Sequence, residues 1–291
     1  MERSTDMAGR RLEFGPFTWT GGEHSPAFRF GHALAEDPML GLEAIALLAD
    51  RLRPDLIETA ASDRGRVEAA FRPVKWSGPG ASSAVREVAE RRLWVAISSI
   101  EEDPAYRTWL GELFEEFRTA AGIAASAVGQ PEGYLFVSAA NTTVPFHVDH
   151  ENNLFFQARG RKHFTVGSFA DDASKSTVFE GMYSGEYGAV DQEPVDLVTH
   201  ELQPGSGLFI GPDCVHSVVT EGELSISLSV VWGTPVLQRY AKVYAVNHHL
   251  RRLGLHPRSP GRSTVIDAGK AAAATAWRGV RSLTERRPHS G

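Results

Sequence analysis

The chain has 291 residues, of which 42% are hydrophobic and 23% charged, with a net charge of −6 and one cysteine, Cys214. This is globular composition, and a chain of this length buries a core without covalent staples. The lone cysteine excludes an intrachain disulfide and suits a reducing cytoplasm, and the absence of an apolar run of about 18 residues argues against a membrane span. The N-terminal MERSTDMAGRRLEFG is charged and has no apolar stretch, so a secretory signal is not expected there.

Residues 1 to about 30 read as irregular. From Asp37 to Leu52 the spacing of Leu42, Ile45, Leu48 and Leu52 predicts a helix that Pro54 ends. Further helices are expected near Ser83–Leu93 and near Ala105–Ala120, the latter carrying Trp109, Leu110, Leu113, Phe114 and Phe117. The texture then changes. Between Tyr134 and Trp232, short runs (YLFVSA, VPFHVD, LFFQA, KHFTVG, GLFIG, VHSVV, LSISLSVVW) alternate with turn residues, the pattern of a β-sandwich or barrel. The segment from Gly167 to Gln203 is too long for a turn and is read as a lid-like insertion beside the site; Asp171–Asp196 within it holds seven acids and one lysine. Helical spacing returns after Pro235, with one stripe of Val236, Tyr240, Val243, Leu250 and Leu253. A second stripe, Ile266, Ala273, Trp277, Val280 and Leu283, opens at a Thr264/Asp267 capping pair. The expected organisation is α+β: an N-terminal extension and helical region over 1–127, a β-core over 128–235, and C-terminal helices over 236–291. From Arg239 onward eleven Lys/Arg stand against two Asp/Glu, a balance of +9 that leaves −15 on the rest. No nucleic-acid motif accompanies this basic tail, so a solvated helix face is expected and nucleic acid is not.

Chemistry concentrates in the β-core. In His147-Val148-Asp149 alternate side chains share a strand face, so an imidazole and a carboxylate reach one point. Two histidines and one carboxylate with open positions suit non-haem Fe(II) oxygenase chemistry. His216, in GPDCVHSVV after the run PGSGLFIGP, is the candidate third ligand. An HxD triplet alone is weak, since a composition like this supplies about half of one by chance, and a strand histidine can simply hydrogen-bond locally. In the strand Arg161–Gly167 the face of Lys162, Phe164 and Val166 is the apolar one, yet it carries a lysine. Either Lys162 snorkels out at the strand end, or its buried ammonium meets an anion such as a dicarboxylate cosubstrate.

The stretch VPFHVDHENNLFFQARGRKHFTVGSF resembles the JmjC-like cupin oxygenases, which include asparaginyl hydroxylases of the factor-inhibiting-HIF type. His147, Asp149, Asn153, Gln157, Gly160 and Lys162 fall at that family's spacing, and the likeness covers about 90 residues, from Asn141 to Trp232. The resemblance implies a double-stranded β-helix of the cupin kind, Fe(II) on His147, Asp149 and His216, and 2-oxoglutarate held by Lys162 with Asn153 nearby. Thr143 and Trp232 are further candidates for the cosubstrate pocket, with core packing the competing reading of Trp232. Val144 stands where the family often has a hydroxyl, three residues before the first histidine, and the strand near Ser229 and Val230 lacks a family asparagine. The implied reaction decarboxylates 2-oxoglutarate to succinate and CO2 while hydroxylating a C–H bond, and a small-molecule or amino-acid-type substrate is expected ahead of a protein. The rival is a metal cupin without oxygenase activity, an isomerase, lyase or ligand-binding module. His150, His163 and His200 are read as ordinary histidines and Cys214 as apolar filler. The acidic insertion is either a solvated surface loop or a bias toward a cationic or amine-bearing substrate, and the C-terminal helices either fold back on the barrel or, as the resemblance implies, build a homodimer.

Overall fold

The computed structural model describes residues 11–15, 17, 26–61, 79–186 and 188–285, with side chains described as far as residue 276. Its centre is a pair of long, bent strands, β7 (Asn152–Ser168) and β10 (Val215–Trp232), which pair antiparallel along nearly their whole length. Each contributes one half to each of two facing sheets. In the larger sheet, the first half of β7 and the second half of β10 lie between β9 (Ser206–Ile210) and β5 (Glu132–Ser138). β1 (Leu12–Phe14) and β2 (Phe28–His32) extend it beyond β9; β4 (Leu93–Ile97) and β3 (Ile57–Ala61) extend it beyond β5. In the smaller sheet, the other halves are flanked by β6 (Thr143–His147) and β8 (Val195–Leu202). This is the expected jelly roll of double-stranded β-helix type.

The bend has a local cause. Gly160 sits at φ +73, and a Cβ there would lie 2.7 Å from the Leu224 carbonyl oxygen, so only glycine fits both the backbone and the approach. The β7–β10 register shifts at this point, between Glu221 and Ile226. Buried Gln157 closes the irregularity. Its Nε2 donates to the carbonyls of Arg159 and Gly160 and to Ser225 Oγ, and its Oε1 accepts from Ser227 Oγ. The Gln157 and Gly160 of the family spacing are thus structural.

Strand alternation divides the core. Leu135, Val137, Leu154, Phe156, Leu228, Val230 and Trp232 point outward from the larger sheet into one apolar cluster with Ile45 and Leu48 of α1 (Leu42–Arg51) and with α4 (Pro104–Ala120). From α4, Trp109, Leu110, Leu113, Phe114 and Phe117 all enter it, each contributing about 1.5–3 kcal/mol of transfer free energy. The inward face lines the barrel. Helix α4 begins at Asp103, whose side chain accepts from the Ala105 and Tyr106 amides.

Several expectations shift. The N-terminal region is not only helical, since its four strands complete the larger sheet. The helix expected at Ser83–Leu93 is two short ones, α2 (Gly80–Arg86) and α3 (Val88–Arg91), and Leu93 already begins β4 after Arg92 at φ 51. The insertion holds α5 (Asp172–Met182), and its residues Gly188 and Val190 then hydrogen-bond along β6 to Val148 and Phe146. The C-terminal helices are α6 (Pro235–Arg252) and α7 (Thr264–Glu285). α6 buries Leu237, Val243, Tyr244 and Asn247, so its inner face is rotated from the expected stripe and Leu253 is exposed. At α7, Ser263 Oγ caps the Ile266 amide, while Asp267 Oδ2 accepts from Gly261; the Thr264/Asp267 pair is not the cap. Ile266 is exposed and Ala274 is buried. The expected contacts of Trp277, Val280 and Leu283 lie outside the described side chains. Among the described residues no helix is long and apolar enough to cross a membrane.

Candidate metal centre

His147 ends β6 and pairs in register with His216 of β10, which brings the two imidazoles to a ring-centroid separation of 4.1 Å. Asp149 lies two residues past the end of β6, on the same side as His147, with its Oδ2 3.7 Å from His216 Nε2. One potential ligand atom from each of the three lies within 4.8 Å of the others, the span of three ligands around one ion with bonds near 2 Å. The ring orientations are fixed from behind. His147 Nδ1 contacts the Pro145 carbonyl at 2.8 Å, and His216 Nδ1 the Cys214 carbonyl at 3.0 Å. A proton on each Nδ1 leaves each Nε2 lone pair for a metal. Burial, followed by the neighbouring His147, pushes the His216 pKa down to about 4, so this imidazole is neutral. Burial works against the charge of Asp149, but His216, His147 and a 3.5 Å hydrogen bond from Asn153 Nδ2 hold its pKa below the ordinary carboxylate value.

The triad opens into a cavity of about 350 Å3 inside the barrel. Lys162 reaches its floor from β7, alternating with outward-facing His163 as the strand period requires. It is 4% exposed. Among the described residues no carboxylate is paired with it. Its Nζ lies instead 5.2 Å from the Phe155 ring centroid and 5.9 Å from that of Phe136, and burial pushes its pKa down to about 7. Asn153 Oδ1 is buried in the same cavity without a hydrogen-bond partner among the described residues. A metal-ready triad, a buried ammonium lacking a counter-ion and an orphaned amide oxygen fit a divalent metal with an anionic metal-binding ligand.

Two candidates fall outside this constellation. Trp232 is fully buried among Phe114, Phe117 and Phe209. It shares strand parity with Leu228 and Val230, while Ser229 and Val231 face the cavity. Thr143 does not line the cavity either; its neighbour Val144 does. Cys214 packs as filler beside the cluster of Phe155 and Phe164, and burial raises its thiol pKa. Of the ordinary histidines, His150 borders the cavity and stacks edge-on against Tyr183. Unforeseen wall residues come from the N-terminal strands: Glu58 on β3, and Trp94 and Ala96 on β4, joined by Tyr134 of β5 and by Glu151. The only sequence signal for Trp94 was a five-residue apolar run after a helix.

A double-stranded β-helix with a two-histidine, one-carboxylate centre at one end of the barrel defines a metal-dependent cupin. The JmjC domain family model matches residues 115–240, from within α4 through the barrel into α6. By structure, the chain is similar to E. coli ycfD, with a TM-score of 0.48 and 16% identity over 90% of this chain and 65% of that one. For YcfD, a ribosomal oxygenase from Escherichia coli, in complex with cobalt and 2-oxoglutarate, the values are 0.47, 16%, 87% and 63%. In complex with cobalt and succinic acid they are 0.45, 14%, 91% and 64%. The chain thus spans just under two thirds of the length of these structures. No curated protein matches the sequence.

Proposed function

We propose that the protein is an Fe(II)- and 2-oxoglutarate-dependent oxygenase that hydroxylates a C–H bond of an amino-acid-type substrate. The observation that carries this reading is the buried Lys162, paired with no carboxylate among the described residues, in the same cavity as the triad. A cupin that only isomerises or binds a neutral ligand has no use for a desolvated ammonium there. JmjC domains use Fe(II) and 2-oxoglutarate. The bound pair supplies the oxidising power: 2-oxoglutarate, O2 and R–H give succinate, CO2 and R–OH. The chain's own residues do the rest. His147, Asp149 and His216 would hold the metal, and the cavity beside them would take the cosubstrate. Lys162 pairs with the distal carboxylate, and Asn153 steadies Asp149. Phe136, Phe155, Phe164 and Val218 keep water from the reacting carbon.

The substrate charge is read from the cavity mouth. The acidic insertion does not provide it. Glu180 is buried against Arg251, Asp171 caps α5, and Asp172 pairs with Arg262. Carboxylates that do line the cavity are Glu58 and Glu151, beside Trp94 and Tyr134. Carboxylates next to aromatic faces favour a cationic group. Calorimetric titration of the apoprotein tests the site: one Co(II) per chain, then one 2-oxoglutarate dependent on both the metal and Lys162. Metal binding with no 2-oxoglutarate binding would leave the non-oxygenase cupin.

A further inference from the structure

A second cavity, about 300 Å3, lies against the first. Its walls are one face of α5, one face of α6, the Pro212–Asp213 turn and the 259–262 connector. His150 lines both cavities. Beside His150 the second cavity is aromatic. Phe179, Tyr183 and Tyr244 stack nearly parallel, with interplanar angles of 15–22° and centroids 5.2–6.4 Å apart. The charges around it cancel in pairs: Lys175 Nζ meets Asp213 at 2.9 Å, and Arg262 meets Asp172. The third titratable contact, His150, meets Glu151 at 3.0 Å, so every charged group of the lining already has an opposite partner, unlike Lys162 in the first cavity. Across from the rings, Ser176 and Ser259 share a hydrogen bond of 2.9 Å.

We propose that this cavity is a second substrate subsite that takes a neutral aromatic group attached to the molecule oxidised in the first. Its use as a substrate subsite rests on the oxygenase reading above. A planar uncharged ring extends the existing stack. An ionic group gains nothing from charges already neutralised and would have to break a pair. The shared His150 wall means that a substrate with its reacting carbon at the triad passes this residue to reach the stack. The substrate is accordingly bipartite, and the second cavity selects by what it holds beside the oxidised group.

The probe is N-acetyl-L-tyrosinamide, with N-acetyl-L-leucinamide as the uncharged aliphatic control. Saturation-transfer NMR on the full chain loaded with Zn(II) and 2-oxoglutarate should show saturable tyrosinamide binding at least fivefold tighter than leucinamide. Replacing Zn(II) by Co(II) should speed relaxation of the bound probe, because the cavity adjoins the metal. Ser259→Phe, which fills the cavity, should weaken the probe at least fivefold while changing 2-oxoglutarate affinity less than twofold. If that variant loses 2-oxoglutarate binding as well, Ser176→Met, which fills the cavity from α5, serves in its place. Equal binding of the two amides, no relaxation effect of Co(II), or probe binding indifferent to the filled cavity would overturn the proposal. Loss of the oxygenase reading looks different: the wild-type chain would then bind no 2-oxoglutarate, whatever the probe does.

Discussion

At the scale of single residues, the site depends on groups whose charge is set by burial. Asp149→Ala removes the anionic ligand and leaves the two imidazoles. Metal affinity should fall roughly 100-fold or more, with the far-ultraviolet circular dichroism unchanged, because Asp149 lies outside the strands. Lys162 gives a pH signature. Its pKa in the empty cavity is pushed down to about 7, and a bound dicarboxylate favours the charged form and raises it. Binding therefore takes up a proton once the pH exceeds about 7, and 2-oxoglutarate affinity should weaken by roughly tenfold per pH unit above that point. Lys162→Arg, which stays charged, should flatten the profile, and calorimetry in buffers of different ionisation enthalpy reads the proton directly. The gathering of His147, Asp149, His216 and Lys162 at one cavity was legible in the sequence because strand alternation and family spacing mark them. Trp232 was misplaced because SISLSVVW is apolar at successive positions near its end, so composition does not say which parity faces the cavity; pairing with β7 and β5 decides it.

At the scale of elements, two joints hold the architecture. Gly160 allows β7 and β10 to pass from one sheet to the other. Gly160→Ala forces a Cβ toward the Leu224 carbonyl at positive φ and should cost about 1–3 kcal/mol, seen as a lower urea midpoint at unchanged slope. Arg251 of α6 holds Glu180 of α5, with Glu180 Oε2 2.8 Å from Arg251 Nε and its side chain 4% exposed. Arg251→Ala strands a buried carboxylate and should cost about 2–4 kcal/mol. The loss should fall on the α5–α6 contact, as faster amide exchange in 172–182. The β-core and α4 could be read from periodicity. β3 and β4 could not, because each is five residues long and follows a helical stretch, and the strand each pairs with next, β4 for β3 and β5 for β4, lies more than thirty residues further on. The walls they give the cavity were invisible for the same reason.

At the scale of the whole molecule, apolar surface gathers where α6 gives way to α7. Leu253, Leu255, Val265 and Ile266 are all exposed there. A second copy is the expected cover, in line with the homodimer anticipated from the two helices. Light scattering should give twice the chain mass at micromolar concentration, and Leu253→Glu with Val265→Glu should return a monomer. A wild-type monomer would leave α6 to wall the second cavity and α7 to pack against α6. The central claim is tested most directly by incubating the protein with Fe(II), ascorbate, 2-oxoglutarate and O2 and measuring succinate. The account predicts succinate and CO2 in equal amounts, abolished by Asp149→Ala and restored toward wild-type level in Lys162→Ala only by much higher 2-oxoglutarate. No succinate from a metal-loaded wild-type chain, together with no 2-oxoglutarate binding, would contradict it.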